Sequence, residues 1–278
     1  MSDLSRTRLL LVGCGKMGGA LLRGWLARAM LPANVVVIEP MGEVLGDLAG
    51  RGIAHLMAPG AIPNDFTPDV VVLAVKPQFM DEAIGHYARY ARPETLFLSI
   101  AAGKTIAYFQ RHLGPKAAAK VAIVRAMPNT PAAIGRGISV AVANRQVTPA
   151  QHELAETLLS ACGEVAWVEE EGLIDPVTAL SGGGPAYVFL LIEAMAEAGR
   201  KVGLPADLAM RLARVTVSGA GELARLSPED AAQLRQNVTS PKGTTLEALK
   251  ILMAPDGIQL LFDRAIAAAT RRSRELAN

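Results

Sequence analysis

Aromatic residues supply only 4% of this 278-residue chain, although hydrophobic residues supply 51%. The core must therefore be built from Ala, Val, Leu, Ile and Met, the mixture of a helix-rich α/β protein. Cysteine is equally scarce. Cys14 and Cys162 are the only two, too few for a disulfide framework or a thiolate metal site, and suited to a reducing cytoplasm. The four histidines, His55, His86, His112 and His152, form no i,i+4 pair, so no metal is expected. Charge of one sign is also lacking: a net charge of +2 with 19% charged residues gives neither the basic field that nucleic acid requires nor an acidic tail. Long apolar runs are missing as well. The polar start Met1 to Arg8 passes into Leu9-Leu10-Leu11-Val12, which Gly13 interrupts, so no signal peptide is expected. In the C-terminal half, Val188 to Ile192 is closed by Glu193, far short of the ~20 residues of a membrane span. What remains is a cytoplasmic protein acting on a small molecule, with neither nucleic acid nor membrane as partner.

The length suits two modest domains. Through residue 168, short apolar runs alternate with helical patterns, the signature of a parallel sheet covered on both faces. Strands are expected at Leu9 to Val12, Val35 to Ile38, Val70 to Val75, Leu96 to Ile100, Val121 to Val124, Ser139 to Ala143 and Val165 to Val168. Helical segments fall near Met17 to Arg28, Gln78 to Tyr90 and Ile106 to His112. This predicts an α/β, Rossmann-type doubly wound domain over 1–168. From 169 to 278, Ala/Leu/Met patterns take over. Helices are expected over Pro185 to Lys201, Pro205 to Leu226, Ala231 to Asn237, Thr245 to Met253 and Gly257 to Leu276, with Pro205 and Pro228 at helix-opening positions and Gly203 at a helix end. An all-helical domain with faces this apolar is hard to close on itself, which favours a dimer built through it.

Gly13-Cys14-Gly15-Lys16-Met17-Gly18 follows the first strand and opens a helix, the context that a dinucleotide fingerprint requires. Gly13, Gly15 and Gly18 allow the tight turn and the close approach of a pyrophosphate to a helix N-terminus. Glu39 ends the second strand, where a carboxylate bonds adenosine ribose hydroxyls and repels a 2′-phosphate, favouring NADH over NADPH; Pro40-Met41-Gly42 behind it is equally able to turn it away. Ala74-Val75-Lys76-Pro77 closes a further strand at its carboxyl end, where open α/β sheets bind ligands. Arg125-Ala126-Met127-Pro128-Asn129-Thr130-Pro131 does the same, and the Asn129 amide suits a nicotinamide carboxamide. In Ser181-Gly182-Gly183-Gly184-Pro185-Ala186-Tyr187, consecutive glycines allow close approach either to a planar ring or to another helix.

Near the C-terminus, Asn237-Val238-Thr239-Ser240-Pro241-Lys242-Gly243-Thr244-Thr245-Leu246-Glu247-Ala248-Leu249 leads from a hydroxyl-rich turn into a helical pattern. Unpaired N–H groups at such a helix start suit a small anion. Thr244-x-x-Glu247 also matches a capping box, in which Thr244 takes the Glu247 N–H and Glu247 returns the bond.

Together these motifs resemble those of the pyrroline-5-carboxylate reductase family. The resemblance spans nearly the whole chain, adding Ser99-Ile100-Ala101-Ala102-Gly103 and Thr178-Ala179-Leu180 to the segments above. The glycine fingerprint is shared by many dehydrogenases, whereas the segments around Ser181 and Thr244 are highly specific. The resemblance implies reduction of 1-pyrroline-5-carboxylate to L-proline, the last step of proline biosynthesis, with NADPH or NADH. It implies that Lys16, Met17, Ala74, Val75, Lys76, Pro77, Ile100, Ala101 and Ala102 line the dinucleotide, with Asn237 near it. Glu171, Thr244 and Thr245 match positions around the substrate. The family works as an interlocked homodimer, often assembled into decamers. Two departures stand out: Lys242 occupies a position usually held by Gly, and Ser181-Gly182-Gly183-Gly184 replaces a common Ser-Gly-Ser-Gly.

The expected reaction is hydride transfer to the imine carbon. Backbone N–H groups of Gly243, Thr244 and Thr245 hold the carboxylate, and the Thr245 hydroxyl bonds the ring nitrogen as the amine forms. A related imine reductase or a β-hydroxyacid dehydrogenase shares both halves, but the latter is expected to carry a lysine in the first helix after Ser181. Here the next lysine is Lys201. A non-catalytic dinucleotide-binding protein is the other alternative.

Overall fold

A computed structural model describes residues 3–114 and 120–277. The chain divides into two compact units, Met1–Gly182 with Ala269–Asn278, and Gly183–Ala268. The division follows Gly182, whereas the sequence pattern changes at residue 168, because the segment after the last strand stays with the sheet.

In the first unit eight strands form one sheet: β1 (Leu9–Val12), β2 (Val35–Ile38), β3 (Ala54–Leu56), β4 (Val70–Leu73), β5 (Leu96–Ser99), β6 (Ala122–Met127), β7 (Gly137–Ala143) and β8 (Gly163–Trp167). Their order is β3-β2-β1-β4-β5-β6-β7-β8. All neighbours are parallel except β6 and β7. The order reverses between β1 and β4, which opens a crevice at the strands' carboxyl ends. Strand residues alternate between two cores. Leu9, Leu11, Val35, Val37, Val70, Val72, Leu96 and Leu98 pack on one side, and Leu10, Val12, Val36, Ile38, Val71, Leu73 and Phe97 on the other. Both faces are thus covered, which is why these strands read as continuous apolar runs.

Among the described residues the first unit's α-helices include α1 (Lys16–Ala27), α2 (Met80–Ile84), α3 (Ile106–His112), α4 (Pro149–Ser160) and α5 (Ile174–Val177). On α1, Trp25 is fully buried and its indole N–H donates to the Leu158 carbonyl of α4 at 2.8 Å. The expected helix over Gln78 to Tyr90 is broken: 3₁₀ turns at Pro77–Phe79 and Gly85–Tyr90 flank α2. Beyond α5 a π-helical turn spans Thr178–Gly182.

The second unit holds α6 (Gly184–Lys201), α7 (Ala206–Leu226), α8 (Ala231–Asn237), α9 (Thr244–Leu252) and most of α10 (Ile258–Ala277). Gly199 lets α6 approach Ala209 of α7, where an added Cβ would lie 3.3 Å from the alanine methyl. Within these helices only Ala196, Ala209 and Ala213 are buried apolar residues, while Phe189, Leu190, Val215 and Leu261 stand well over half exposed. By length and composition alone the stretch Glu171–Lys201 is apolar enough to cross a membrane, with 11% of its most apolar window buried.

Candidate active site

The glycine-rich loop follows β1. Gly13 has φ +87, in the left-handed region, and a Cβ there would lie 2.9 Å from the Ala74 backbone. Only glycine lets the loop pass so close to the end of β4. Gly15 is the N-cap of α1, and nothing lies within 4 Å of the position a Cβ would take. At Gly18 an added Cβ would meet the Gly13 carbonyl oxygen. The first N–H groups of α1 have no partner inside the helix. Contact glycines beneath the turn and an open glycine at the helix start fit a dinucleotide pyrophosphate.

The neighbouring strand ends complete a row. Ala74 to Pro77 follow β4, with the Ala74 N–H donating to the Val12 carbonyl at 2.8 Å. Ile100 to Ala102 follow β5, where the Ile100 N–H donates to the Leu73 carbonyl at 3.1 Å and the Ala101 N–H to the Ser99 hydroxyl at 3.2 Å. Lys16 and Lys76 are exposed, while Met17, Ala74, Val75 and Pro77 are half-buried. The set expected to line the dinucleotide in this unit is thereby gathered at the carboxyl ends of β1, β2, β4 and β5.

Glu39 ends β2 but faces inward, at 7% exposure. One carboxylate oxygen accepts the Cys14 N–H at 2.8 Å and the other the Met41 N–H at 3.1 Å. The His55 ring meets the Glu39 carbonyl at 2.8 Å. Glu39 therefore braces the glycine-rich loop, a role that sequence position alone does not reveal. Cys14 is fully buried, and burial, reinforced by the Glu39 charge, pushes its thiol up to about 11.

Asn129, expected to meet a carboxamide, already has both ends of its amide engaged. Its oxygen accepts the Ile138 N–H at 3.0 Å and its nitrogen donates to the Ser181 hydroxyl at 3.2 Å. It pins the turn after β6 to the Ser181 motif.

Glu171 lies just beyond β8. Its Oε1 accepts two hydrogen bonds, from the Ile106 N–H at 2.8 Å and from Arg125 Nη1 at 3.0 Å. Arg125 sits on β6 opposite Ser99 of β5 and is 2% exposed. The sequence reading gives Arg125 no role. Its signal there is a charged residue ending the apolar run Val121 to Val124.

Asp81 accepts from Lys104 Nζ at 2.8 Å and from the Tyr108 hydroxyl, tying α2 to α3. These donors hold the Asp81 carboxyl below its ordinary value, while burial and Asp81 together push the Tyr108 phenol up. Farther along, the Ser273 hydroxyl donates to Asp175 at 2.6 Å, both buried, so the end of α10 is fastened to α5.

In the second unit, Ser240-Pro241-Lys242-Gly243 forms a turn closed by the Gly243 N–H donating to the Ser240 carbonyl at 3.0 Å. Pro241 stands at its second position and Lys242 at its third with φ 61, where glycine is the usual residue. Gly243 is the N-cap of α9, without a side-chain cap. Two expectations are thereby corrected. Thr244 is the first helical residue rather than the cap, and Glu247 pairs with Lys250 at 2.7 Å, so no capping box forms. The Gly243 N–H is committed to the turn, so the free donors start at Thr244. Asn237, the last residue of α8, accepts from Gln233 at 2.8 Å and donates to Glu229 at 2.9 Å.

Residues 171–276 match a family model described as pyrroline-5-carboxylate reductase dimerisation, and residues 8–103 one described as NADP oxidoreductase coenzyme F420-dependent. The chain is 41% identical to a pyrroline-5-carboxylate reductase of Pseudomonas aeruginosa, over 99% of this chain and 98% of that one. It is 39% identical to one from Synechocystis, over 97% and 98%. Among solved structures, a pyrroline-5-carboxylate reductase from Coxiella burnetii superposes with a TM-score of 0.87 at 35% identity, covering 98% of this chain and 99% of that one. A pyrroline carboxylate reductase from Plasmodium falciparum with NADP bound gives 0.82 at 27% identity, covering 99% and 100%. With relatives this similar over nearly their full lengths, the chain belongs to the pyrroline-5-carboxylate reductase family.

Proposed function

We propose that this protein reduces 1-pyrroline-5-carboxylate to L-proline with NADPH or NADH, as the last step of proline biosynthesis. The observation that carries the proposal is the start of α9, where two threonines stand at the first two helical positions with neither hydroxyl spent on a cap. A nicotinamide, when bound, supplies the hydride. Gly13, Gly15 and Gly18 admit the pyrophosphate, Lys16 and Met17 flank it, and Ala74 to Pro77 and Ile100 to Ala102 line the remainder. Backbone N–H groups of Thr244 and Thr245 hold the substrate carboxylate with the positive end of the helix dipole behind them. The Thr245 hydroxyl bonds the ring nitrogen and passes it a proton from water, and Glu171 faces the substrate. Glu39 at the end of β2 disfavours a 2′-phosphate, so NADH is the preferred donor.

The exposed apolar faces of α6 and α7 support a homodimer built through the second unit, a dimer able to assemble into a decamer. We place the enzyme in the cytoplasm, where Cys14 and Cys162 stay reduced.

Oxidation of NADH and of NADPH, each with pyrroline-5-carboxylate, tests the proposal. Turnover with either supports it, and cofactor binding without turnover would leave a non-catalytic dinucleotide-binding protein. A strong NADPH preference removes the Glu39 argument alone. In Thr245→Ala a loss of about tenfold in kcat/KM, near 1.4 kcal/mol, is expected. An unchanged value removes Thr245 from the mechanism.

A further inference from the structure

Arg125 is a buried cation whose structural role is poorly matched to its cost. It is 2% exposed, yet of its side-chain donors Nε and Nη2 have no hydrogen-bond partner among the described residues. A buried guanidinium with unmet donors destabilises a fold unless something else requires it. Among the described residues its one ion pair is with Glu171, through Nη1 to Oε1 at 3.0 Å.

The same Oε1 accepts the N–H of Ile106, the first residue of α3. One carboxylate oxygen thus gathers β6, the start of α3 and the segment after β8. The backbone beside Arg125 is Ser99, whose hydroxyl holds the turn into Ile100 to Ala102. With Oε1 fixed by two donors, the orientation of the whole carboxylate is set, and Oε2 is the oxygen left to act. The Glu171 side chain is 29% exposed, so part of it remains accessible.

We propose that Arg125 is a positioning residue for imine reduction, acting through Glu171: it pins Oε1 so that the carboxylate meets the substrate in one orientation. The proposal rests on the reading above that Glu171 faces the substrate. At 2% exposure Arg125 acts from beneath the surface, through the Glu171 carboxylate.

The test is a double-mutant cycle on the full-length enzyme in its native assembly, built from Arg125→Met, Glu171→Gln and the pair, with Arg125→Lys as the conservative variant. Steady-state constants for the imino acid and the cofactor are measured beside unfolding midpoints. Glu171→Gln is expected to lower kcat/KM for the imino acid by about tenfold. Arg125→Met should lose at least as much, and Arg125→Lys, which still donates to Oε1, should recover part of it. The double variant should be no worse than the poorer single variant, because one orientation is lost only once.

Multiplying losses in the double variant would overturn the proposal, since Arg125 would then act apart from Glu171. So would kinetic constants that stay normal in Arg125→Met while its unfolding midpoint falls. If Arg125→Met does not fold, the same cycle is run with Arg125→Lys. An unaffected Glu171→Gln removes Glu171 from the substrate and the Arg125 proposal with it, whereas an impaired Glu171→Gln with multiplying losses removes the Arg125 proposal alone.

Discussion

The Glu39 carboxylate reaches from the end of β2 to accept the Cys14 backbone N–H at 2.8 Å, and so holds the middle of the glycine-rich loop. Its second oxygen accepts the Met41 N–H. In Glu39→Gln one oxygen is replaced by an NH₂ group that must face an N–H donor. Leaving that buried donor unmet costs about 1–3 kcal/mol, to be read from denaturant unfolding. The charge near the proposed ribose site is lost as well, so the ratio of kcat/KM for NADPH over NADH should rise. A ratio that stays fixed while stability falls would show that Glu39 serves the loop alone.

Gly15 and Gly18 should fail differently. Gly15 has φ −64 with open space around it, so Gly15→Ala should fold with a stability within about 0.5 kcal/mol of the parent. Its methyl group would stand where the pyrophosphate approaches, so cofactor affinity, read by fluorescence titration, should drop sharply. At Gly18 the methyl would press on the Gly13 carbonyl, so Gly18→Ala should lower the melting temperature as well. If Gly15→Ala binds cofactor normally, the pyrophosphate does not pass over that residue.

The architecture was legible where burial imposed a clear pattern. Leu9 to Val12 and Val35 to Ile38 match their expected bounds because every residue of each is apolar and buried, whereas the Ala231 to Asn237 helix, none of whose residues is buried, matches because Asp230 caps its start. Ala54-His55-Leu56 went unread because three residues with a polar centre show no period. The omitted helix α4 did carry a start signal: Thr148 and Gln151 form a capping box around Pro149. At the site, the glycines and the threonine pair could be read because their constraint is local. Arg125 could not, since its partner Glu171 is distant in sequence, and the same distance hid the bond from Glu39 to Cys14.

Cys14 gives a pH prediction. Its thiol is pushed up to about 11 from 9.0, so at neutral pH it is protonated and slow to attack a disulfide reagent. In Cys162→Ser, which leaves Cys14 alone, the labelling rate should keep rising past pH 9 rather than level off there. The linkage has a definite sign. The unfolded chain releases this proton first, so the native state binds more protons between 9.0 and about 11, and stability falls as pH rises through that window. A labelling plateau near 9 would mean that the thiol is not buried in the working enzyme.

Lys242 combines a backbone cost with a charge, and two substitutions separate them. A non-glycine residue at φ 61 carries a left-handed penalty of about 1–2 kcal/mol, against which glycine loses about 0.5–1 kcal/mol of chain entropy. Lys242→Gly should therefore stabilise the turn by up to about 1 kcal/mol, whereas Lys242→Ala keeps the strained conformation and should not. Both remove a cation two residues before Thr244, so both should raise KM for the imino acid at low salt and flatten its salt dependence, because screening weakens exposed charges. The retained strain makes sense if the ammonium aids carboxylate capture. If Lys242→Gly gains stability with no change in KM at any ionic strength, the charge has no part in substrate binding, and the residue is only a strained substitute for glycine.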